Sequence, residues 1–151
     1  MTFDQWMRGC LDRVETALEH YLPGTDVAPA KLHEAMRYAV LGGGKRVRPL
    51  LCHAAGELTG ASAPALEAAS AALEMIHVYS LVHDDMPAMD DDALRRGKPT
   101  VHVQYDEATA LLVGDALQSQ AFVALTSSDA LSAVQQAALT RELALASGSV
   151  T

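Results

Sequence analysis

Residues 71–99 read AALEMIHVYSLVHDDMPAMDDDALRRGKP, an apolar stretch followed by five aspartates within nine residues and then by three cations. The apolar part has no strand-like alternation, and its polar residues recur at three- and four-residue steps, which is the period of a helix. Crowded carboxylates repel one another, so the aspartates need a positive partner. The stretch therefore predicts a long apolar helix that ends at an acidic loop.

The polar residues of this helix, Glu74, His77, Ser80 and Asp84, fall on one face. On a largely buried helix, a polar stripe of this kind can line a cavity. The alternative is that His77 is a core or surface histidine with a local partner, and spacing alone leaves both interpretations open.

Helical periodicity and turn signals divide the rest of the chain as well, with no useful β alternation, repeat or linker. We expect an all-α fold of about six helices in one domain, residues 1–151. The predicted helices are 3–21, 29–41, 49–58, 62–85, 106–126 and one from 129 or 131 to 147, with a non-helical stretch at 86–105.

The amino-acid composition restricts the classes of function that the chain can have. Half of the 151 residues are hydrophobic and a fifth are charged, the balance of a folded domain. The net charge of −8 argues against nucleic acid, and two small basic clusters favour small anions instead. No run approaches the length of a membrane span, so no membrane partner is expected. The two cysteines, Cys10 and Cys52, lie in no zinc-ligand pattern, which favours a reduced, cytoplasmic setting.

The acidic loop has the chemistry of a magnesium site. Pro87 ends the helix, and a chain that curls back there brings Asp84 near Asp90. Oxygen-only ligands suit Mg²⁺ or Ca²⁺, and the spacing does not fit an EF-hand. Magnesium held by a few carboxylates shares its other positions with phosphates, which Arg95 and Arg96 could also bind. The alternative is a solvated acidic loop that caps the helix.

A second basic cluster, Lys45, Arg46 and Arg48, follows three glycines in LGGGKRVRP. It is not a P-loop, because Arg46 stands where Ser or Thr is required. It is either a separate anion site or an exposed basic turn after a C-capping glycine. In the fifth helix, Asp115 and Gln118 either face the same cavity as His77 or form a satisfied buried polar pair.

Together, GGGKRVRP, HDDMPAMDDDALRRGKPT and GDALQSQAF resemble, in order and spacing, the trans-isoprenyl diphosphate synthases, and DDMPAMD resembles their bacterial farnesyl diphosphate branch. The resemblance covers nearly the whole chain. It implies an antiparallel helical bundle with a central cavity, a homodimer, and condensation of isopentenyl diphosphate with an allylic diphosphate. In that reaction Mg²⁺ assists departure of the allylic diphosphate, and the isopentenyl double bond attacks the resulting carbocation.

The resemblance also implies residue roles. Asp84, Asp85 and Asp90 match the catalytic first aspartate-rich motif, with Asp84 and Asp90 as its magnesium ligands. The residues that match substrate contacts are Lys45, Arg48 and His77 for isopentenyl diphosphate, Arg95 for the allylic diphosphate and Arg96 for isopentenyl diphosphate. Tyr79, five residues before Asp84, matches the level at which bulky groups limit product length, so we expect a product near C15.

The chain departs from the family in lacking the second DDxxD motif of the C-terminal half. We therefore expect that this chain is the N-terminal half of a synthase and that it is inactive alone. We also expect it to expose helix faces that the other half would cover. Two alternatives stay open: a non-catalytic prenyltransferase subunit or helical interaction module, and a divalent-cation-binding helical protein.

Overall fold

The computed structural model describes residues 1–149, and it is all-α apart from one short hairpin in that range. In chain order the elements are α1 (Phe3–Tyr21), α2 (Ala30–Leu41), α3 (Val47–Leu58), α4 (Ala63–Asp84), β1 (Leu94–Arg95), β2 (Lys98–Pro99), α5 (Val101–Gln104), α6 (Glu107–Thr126) and α7 (Ala133–Ser147). The predicted fold class is confirmed, and the described range has seven helices instead of about six because of the four-residue α5.

Helices α4 and α6 form the centre of the fold. They pack against each other, α1, α2, α3 and α7 contact α4, and α2, α5 and α7 contact α6. Close approach of the central pair needs Gly114, since a Cβ at this position would overlap the imidazole ring of His83. His83 in turn hydrogen-bonds through Nε2 to the carbonyl of Leu111, 3.0 Å away. A glycine on α6 therefore lets a polar side chain of α4 lie inside the helix pair.

Capping residues explain several helix starts. Thr2 and Gln5 form a capping box at α1, Ser132 and Gln135 form another at α7, and the Asp106 carboxylate accepts from the amide of Thr109 at α6. These side chains satisfy amide donors that a helix leaves unpaired in its first turn. The cap at Ser132 starts α7 later than the predicted residue 129 or 131. Helix α3, in contrast, starts earlier than predicted, at Val47 instead of Pro49.

The expectation that no segment reaches the length of a membrane span was wrong. By length and composition alone, α4 and α6 are both long and apolar enough to cross a bilayer. The core helix of a folded domain passes the same test, and these two helices are the central pair of this fold.

The hairpin lies in the stretch predicted to be non-helical. Strands β1 and β2 pair antiparallel, with Leu94 opposite Pro99 and Arg95 opposite Lys98. Arg96 and Gly97 form the two-residue turn, and both have positive φ, 52° and 77°. Two positive φ values are typical of the hairpin turn whose twist matches that of the strands. The hairpin holds the first basic cluster, Arg95, Arg96 and Lys98, in a fixed orientation beside the acidic loop.

Candidate functional site

The acidic loop folds back on the end of α4 as predicted. The amide of Asp90 donates to the carbonyl of Asp84 at 2.7 Å, and the amide of Asp92 donates to the carbonyl of Asp85 at 3.1 Å. Asp91 adopts a left-handed conformation with φ of 54°, which reverses the chain. Thr100 then ties the loop to the hairpin, because its hydroxyl donates to the carbonyl of Asp92 at 2.7 Å. Asp84 and Asp90 are thus neighbours although they share no helical face.

Asp85 differs from its neighbours in being buried and ion-paired. Its carboxylate accepts two hydrogen bonds from Arg95, one from Nε at 2.8 Å and one from Nη2 at 2.7 Å. The Asp85 side chain is only 5% exposed. This bidentate pair raises the pKa of Arg95, and it fixes the guanidinium in a plane beside the acidic loop.

The carboxylates of Asp84 and Asp90 have no hydrogen-bond or ion-pair partner among residues 1–149. Asp90 is exposed and Asp84 is half-buried. Carboxylate oxygens without a protein partner are the donor type that Mg²⁺ prefers in proteins. The chemistry of Asp84 and Asp90 therefore fits a magnesium ion, whereas the Asp85 carboxylate is occupied by Arg95.

The first basic cluster, Arg95, Arg96 and Lys98, contacts the glycine loop of the second. The Nη1 group of Arg96 donates to the carbonyl of Gly43, and a Cβ at Gly44 would overlap the guanidinium of Arg96. A pocket of about 60 Å³ lies at this junction. Its charged lining residues are Asp85, Arg95, Arg96 and Lys98. The fold therefore joins two motifs that are about fifty residues apart in sequence.

Arg48 and His77 line a second, larger pocket of about 310 Å³ between α4 and α7. The pKa of His77 is lowered, first by burial and then by the positive charge of Arg48, with further contributions from Arg96 and Arg95 and an opposing one from Glu74. The positive charges of three arginines, which come from two motifs, thus help to lower the pKa of one imidazole. Tyr79 and Ser80 also line this pocket, so two of the four residues of the predicted polar stripe, His77 and Ser80, face a cavity.

The side chains of Lys45 and Arg46 have different environments. Lys45 is exposed, but it lines neither of these two pockets. Arg46 is buried and pairs with Glu15 and with Glu74. Glu74 therefore leaves the predicted cavity-lining stripe, because its carboxylate is used inside the fold.

The interpretation of Asp115 and Gln118 as a buried polar pair was wrong. Both side chains are exposed on α6. The Asp115 carboxylate is 65% exposed and lies 3.9 Å from Nε2 of His83. Neither residue lines the pocket that contains His77.

Reasoning from sequence missed one polar cluster, formed by Cys10, His53 and Glu57, whose ligand-type atoms lie within 4.8 Å of one another. Its members come from α1 and α3, so no linear spacing could have predicted it. The Nη2 group of Arg13 lies 3.2 Å from Sγ of Cys10 and 3.4 Å from Oε1 of Glu57. The guanidinium of Arg13 therefore already pairs with two of the three ligand-type groups.

Comparison with known proteins agrees with this geometry. The model of the polyprenyl synthetase family matches residues 29–149. Farnesyl diphosphate synthase of Haemophilus influenzae is 51% identical over 97% of this chain and 50% of its own length. The large subunit 2 of a heterodimeric geranylgeranyl pyrophosphate synthase of Arabidopsis thaliana is 48% identical, over 97% of this chain and 38% of its own length.

Solved structures show the same similarity. A geranyltransferase from Legionella pneumophila superposes with a TM-score of 0.91 at 44% identity, covering 96% of this chain and 52% of that one. An FPP/GFPP synthase from Zymomonas mobilis gives a TM-score of 0.90 at 44% identity, with the same coverage. The chain thus spans about half the length of the relatives that it matches.

Proposed function

Because the chain belongs to the polyprenyl synthetase family, we propose that its protein is a short-chain trans-prenyltransferase that condenses isopentenyl diphosphate with dimethylallyl or geranyl diphosphate. The observation that carries the proposal is the contact of Arg96 with the glycine loop at Gly43. It joins two sets of basic side chains, one beside free carboxylates and one beside His77. The reaction needs two diphosphate sites next to each other, and this arrangement offers them.

The allylic diphosphate would lie at the acidic loop. Asp84 and Asp90 would hold Mg²⁺, which when bound neutralises the diphosphate and makes it a better leaving group. Asp85 orients the Arg95 guanidinium with its two hydrogen bonds, so that the remaining N–H groups of Arg95 can meet phosphate oxygens.

The isopentenyl diphosphate would lie at the glycine loop. Lys45 and Arg48 are exposed there and carry charges that match a diphosphate. The lowered pKa of His77 keeps its imidazole neutral near pH 7, so it would offer one N–H donor without adding charge. Arg96, which contacts Gly43, would lie between the two diphosphates and contact the isopentenyl one.

The apolar part of the pocket between α4 and α7 would take the growing chain. Ile76, Tyr79 and Leu143 are among its lining residues, and such a wall keeps water from a carbocation. The Tyr79 ring packs edge-on against the His83 ring, with centroids 5.8 Å apart. We propose that Tyr79 limits product length, which makes farnesyl diphosphate the expected product, formed in the cytoplasm by a homodimer.

Product analysis tests the proposal. The protein expressed from its complete coding sequence is incubated with isopentenyl and geranyl diphosphates, with and without Mg²⁺, and the products are identified by mass. We expect Mg²⁺-dependent farnesyl diphosphate. Tyr79→Ala should shift products to longer chains, whereas Val27→Ala, outside the lining of the pocket, should not. Absence of any condensation, or tight Ca²⁺ binding in the absence of diphosphate, would contradict the proposal.

A further inference from the structure

Arg46 lies inside the fold although it sits within an exposed basic segment. Its neighbours Lys45 and Arg48 are exposed, whereas Arg46 is 2% exposed. Arg46 has a φ of 48°, in the left-handed region, at the N-cap of α3. A non-glycine residue adopts this conformation at a cost in free energy, so contacts elsewhere must hold it there.

Four hydrogen bonds hold the guanidinium. Nε and Nη2 donate to the Glu15 carboxylate at 2.6 and 3.1 Å, and Nη1 donates to Oε1 of Glu74 at 2.9 Å. Nη2 also donates to the carbonyl of Val40 at 2.8 Å. The partners come from α1, α4 and α2, so one side chain ties the segment before α3 to three helices.

The tether to Glu74 connects this segment with His77. Glu74 precedes His77 by three residues on α4, about one turn of a rigid helix. Arg46 itself lies between Lys45 and Arg48 in sequence. The ion pair therefore fixes where the two exposed cations stand relative to the imidazole.

We propose that Arg46 is a positioning residue that holds Lys45 and Arg48 in register with His77 and so forms the isopentenyl diphosphate site. The inference rests on the proposed function. Arg46 would act without touching the substrate, because its side chain is buried and four of the five guanidinium N–H groups are bonded within the fold. A lysine could not replace it, since a single ammonium cannot span two carboxylates and a carbonyl in the fork geometry of a guanidinium.

Steady-state kinetics of the complete protein test the proposal. Arg46→Lys and Arg46→Gln should raise KM for isopentenyl diphosphate at least about tenfold, because misplacing binding groups by an ångström costs this much or more. The KM for geranyl diphosphate should change less than roughly threefold, because substitutions at distant sites usually act independently to within this margin. Val113→Ala in the core of α6 is the matched control, and it should lower the melting temperature without changing either KM.

Calorimetry with inorganic pyrophosphate, in the absence of Mg²⁺, gives a second readout that needs no turnover. The Arg46 variants should bind pyrophosphate at least about tenfold more weakly than the unsubstituted protein. If Arg46→Gln does not fold, Glu15→Ala removes the partly exposed tether and should show the same pattern with smaller changes.

The outcomes separate the two proposals. Arg46 variants that melt earlier but keep KM and pyrophosphate affinity would overturn the positioning role and leave the proposed function standing. An unsubstituted protein that binds pyrophosphate but performs no condensation would overturn the proposed function, and the affinities of the variants would then decide the role of Arg46. An unsubstituted protein that does neither would overturn both.

Discussion

At the scale of single residues, the neighbouring aspartates Asp84, Asp85 and Asp90 have different environments. Asp85 is buried and bidentate to Arg95, whereas Asp84 and Asp90 have free carboxylates within residues 1–149. We expect Asp85→Asn to lower the free energy of unfolding by about 1–3 kcal/mol, since one bond to a charged donor is lost in a buried site. Asp84→Asn and Asp90→Asn should change it by less than about 0.5 kcal/mol, as surface substitutions do.

Urea unfolding measures these differences, and Mg²⁺-dependent turnover of the same variants provides the complementary readout. Asp84→Asn and Asp90→Asn should lose turnover while they keep stability. Equal stability losses for all three variants would contradict the distinction between a structural Asp85 and the two proposed metal ligands.

His53 predicts a pH dependence of stability. It is buried, its Nδ1 has no partner in the described residues, and its pKa is lowered, mainly by burial and then by Arg13. The unfolded chain, with an ordinary pKa near 6.5, therefore binds the proton first as pH falls. Stability should be full above about pH 7 and should fall as the pH drops through 6.5 toward the lowered pKa of the folded state.

Unfolding of the unsubstituted protein and of His53→Gln, compared at pH 7.5 and 5.5, isolates this effect. The loss of stability on acidification should be smaller in His53→Gln. Some loss should remain, because the pKa of His77 is lowered too and acts in the same direction. An identical loss in both proteins would rule out His53 as a source.

At the scale of helices, glycines distinguish a tight packing site from an open one. A Cβ at Gly114 would overlap His83, whereas a Cβ at Gly9 on α1 meets nothing within 4 Å. Gly9→Ala should therefore stabilise the protein by about 0.5–1 kcal/mol, the gain of helix propensity. Gly114→Ala should destabilise it, because the His83 ring must leave its bond to Leu111. Thermal unfolding of the two variants checks the opposite signs.

The helices could be predicted from sequence because their signals are local. Apolar periodicity and caps fix α1 and α6 to within a residue of the predicted bounds. The hairpin could not be predicted in this way, since two-residue strands show no alternation and its turn depends on positive φ at Arg96.

The same distinction applies to the site. The return of the chain from Asp84 to Asp90 followed from Pro87, a local signal. The burial of Arg46 could not be predicted from a local signal, because its partners Glu15 and Glu74 lie 31 and 28 residues away in sequence. One sign was present in the sequence, a glutamate at position 74 inside an otherwise apolar run, since a buried acid requires a basic partner.

At the scale of the whole molecule, several large apolar side chains are exposed. Leu51 and Leu58 on α3 are 65% and 89% exposed, and Val134 on α7 is 79% exposed. The chain also spans about half the length of its relatives. We expect residues 1–151, produced alone, to self-associate and to show no Mg²⁺-dependent condensation, because exposed apolar surface drives association and these residues contain no second aspartate-rich motif. Light scattering coupled to gel filtration and a product assay measure both.

Charged substitutions on the exposed face of α3 distinguish self-association through this surface from self-association caused by misfolding. Leu51→Lys with Leu58→Lys should shift residues 1–151 toward monomer with little change in helical circular dichroism, because both side chains already face water. Val27→Lys, a similarly exposed residue in the loop before α2, should leave the association unchanged. Self-association that persists in the double variant would assign it to another surface. Clear turnover by residues 1–151 alone would show that the acidic loop and the two basic clusters suffice for the chemistry.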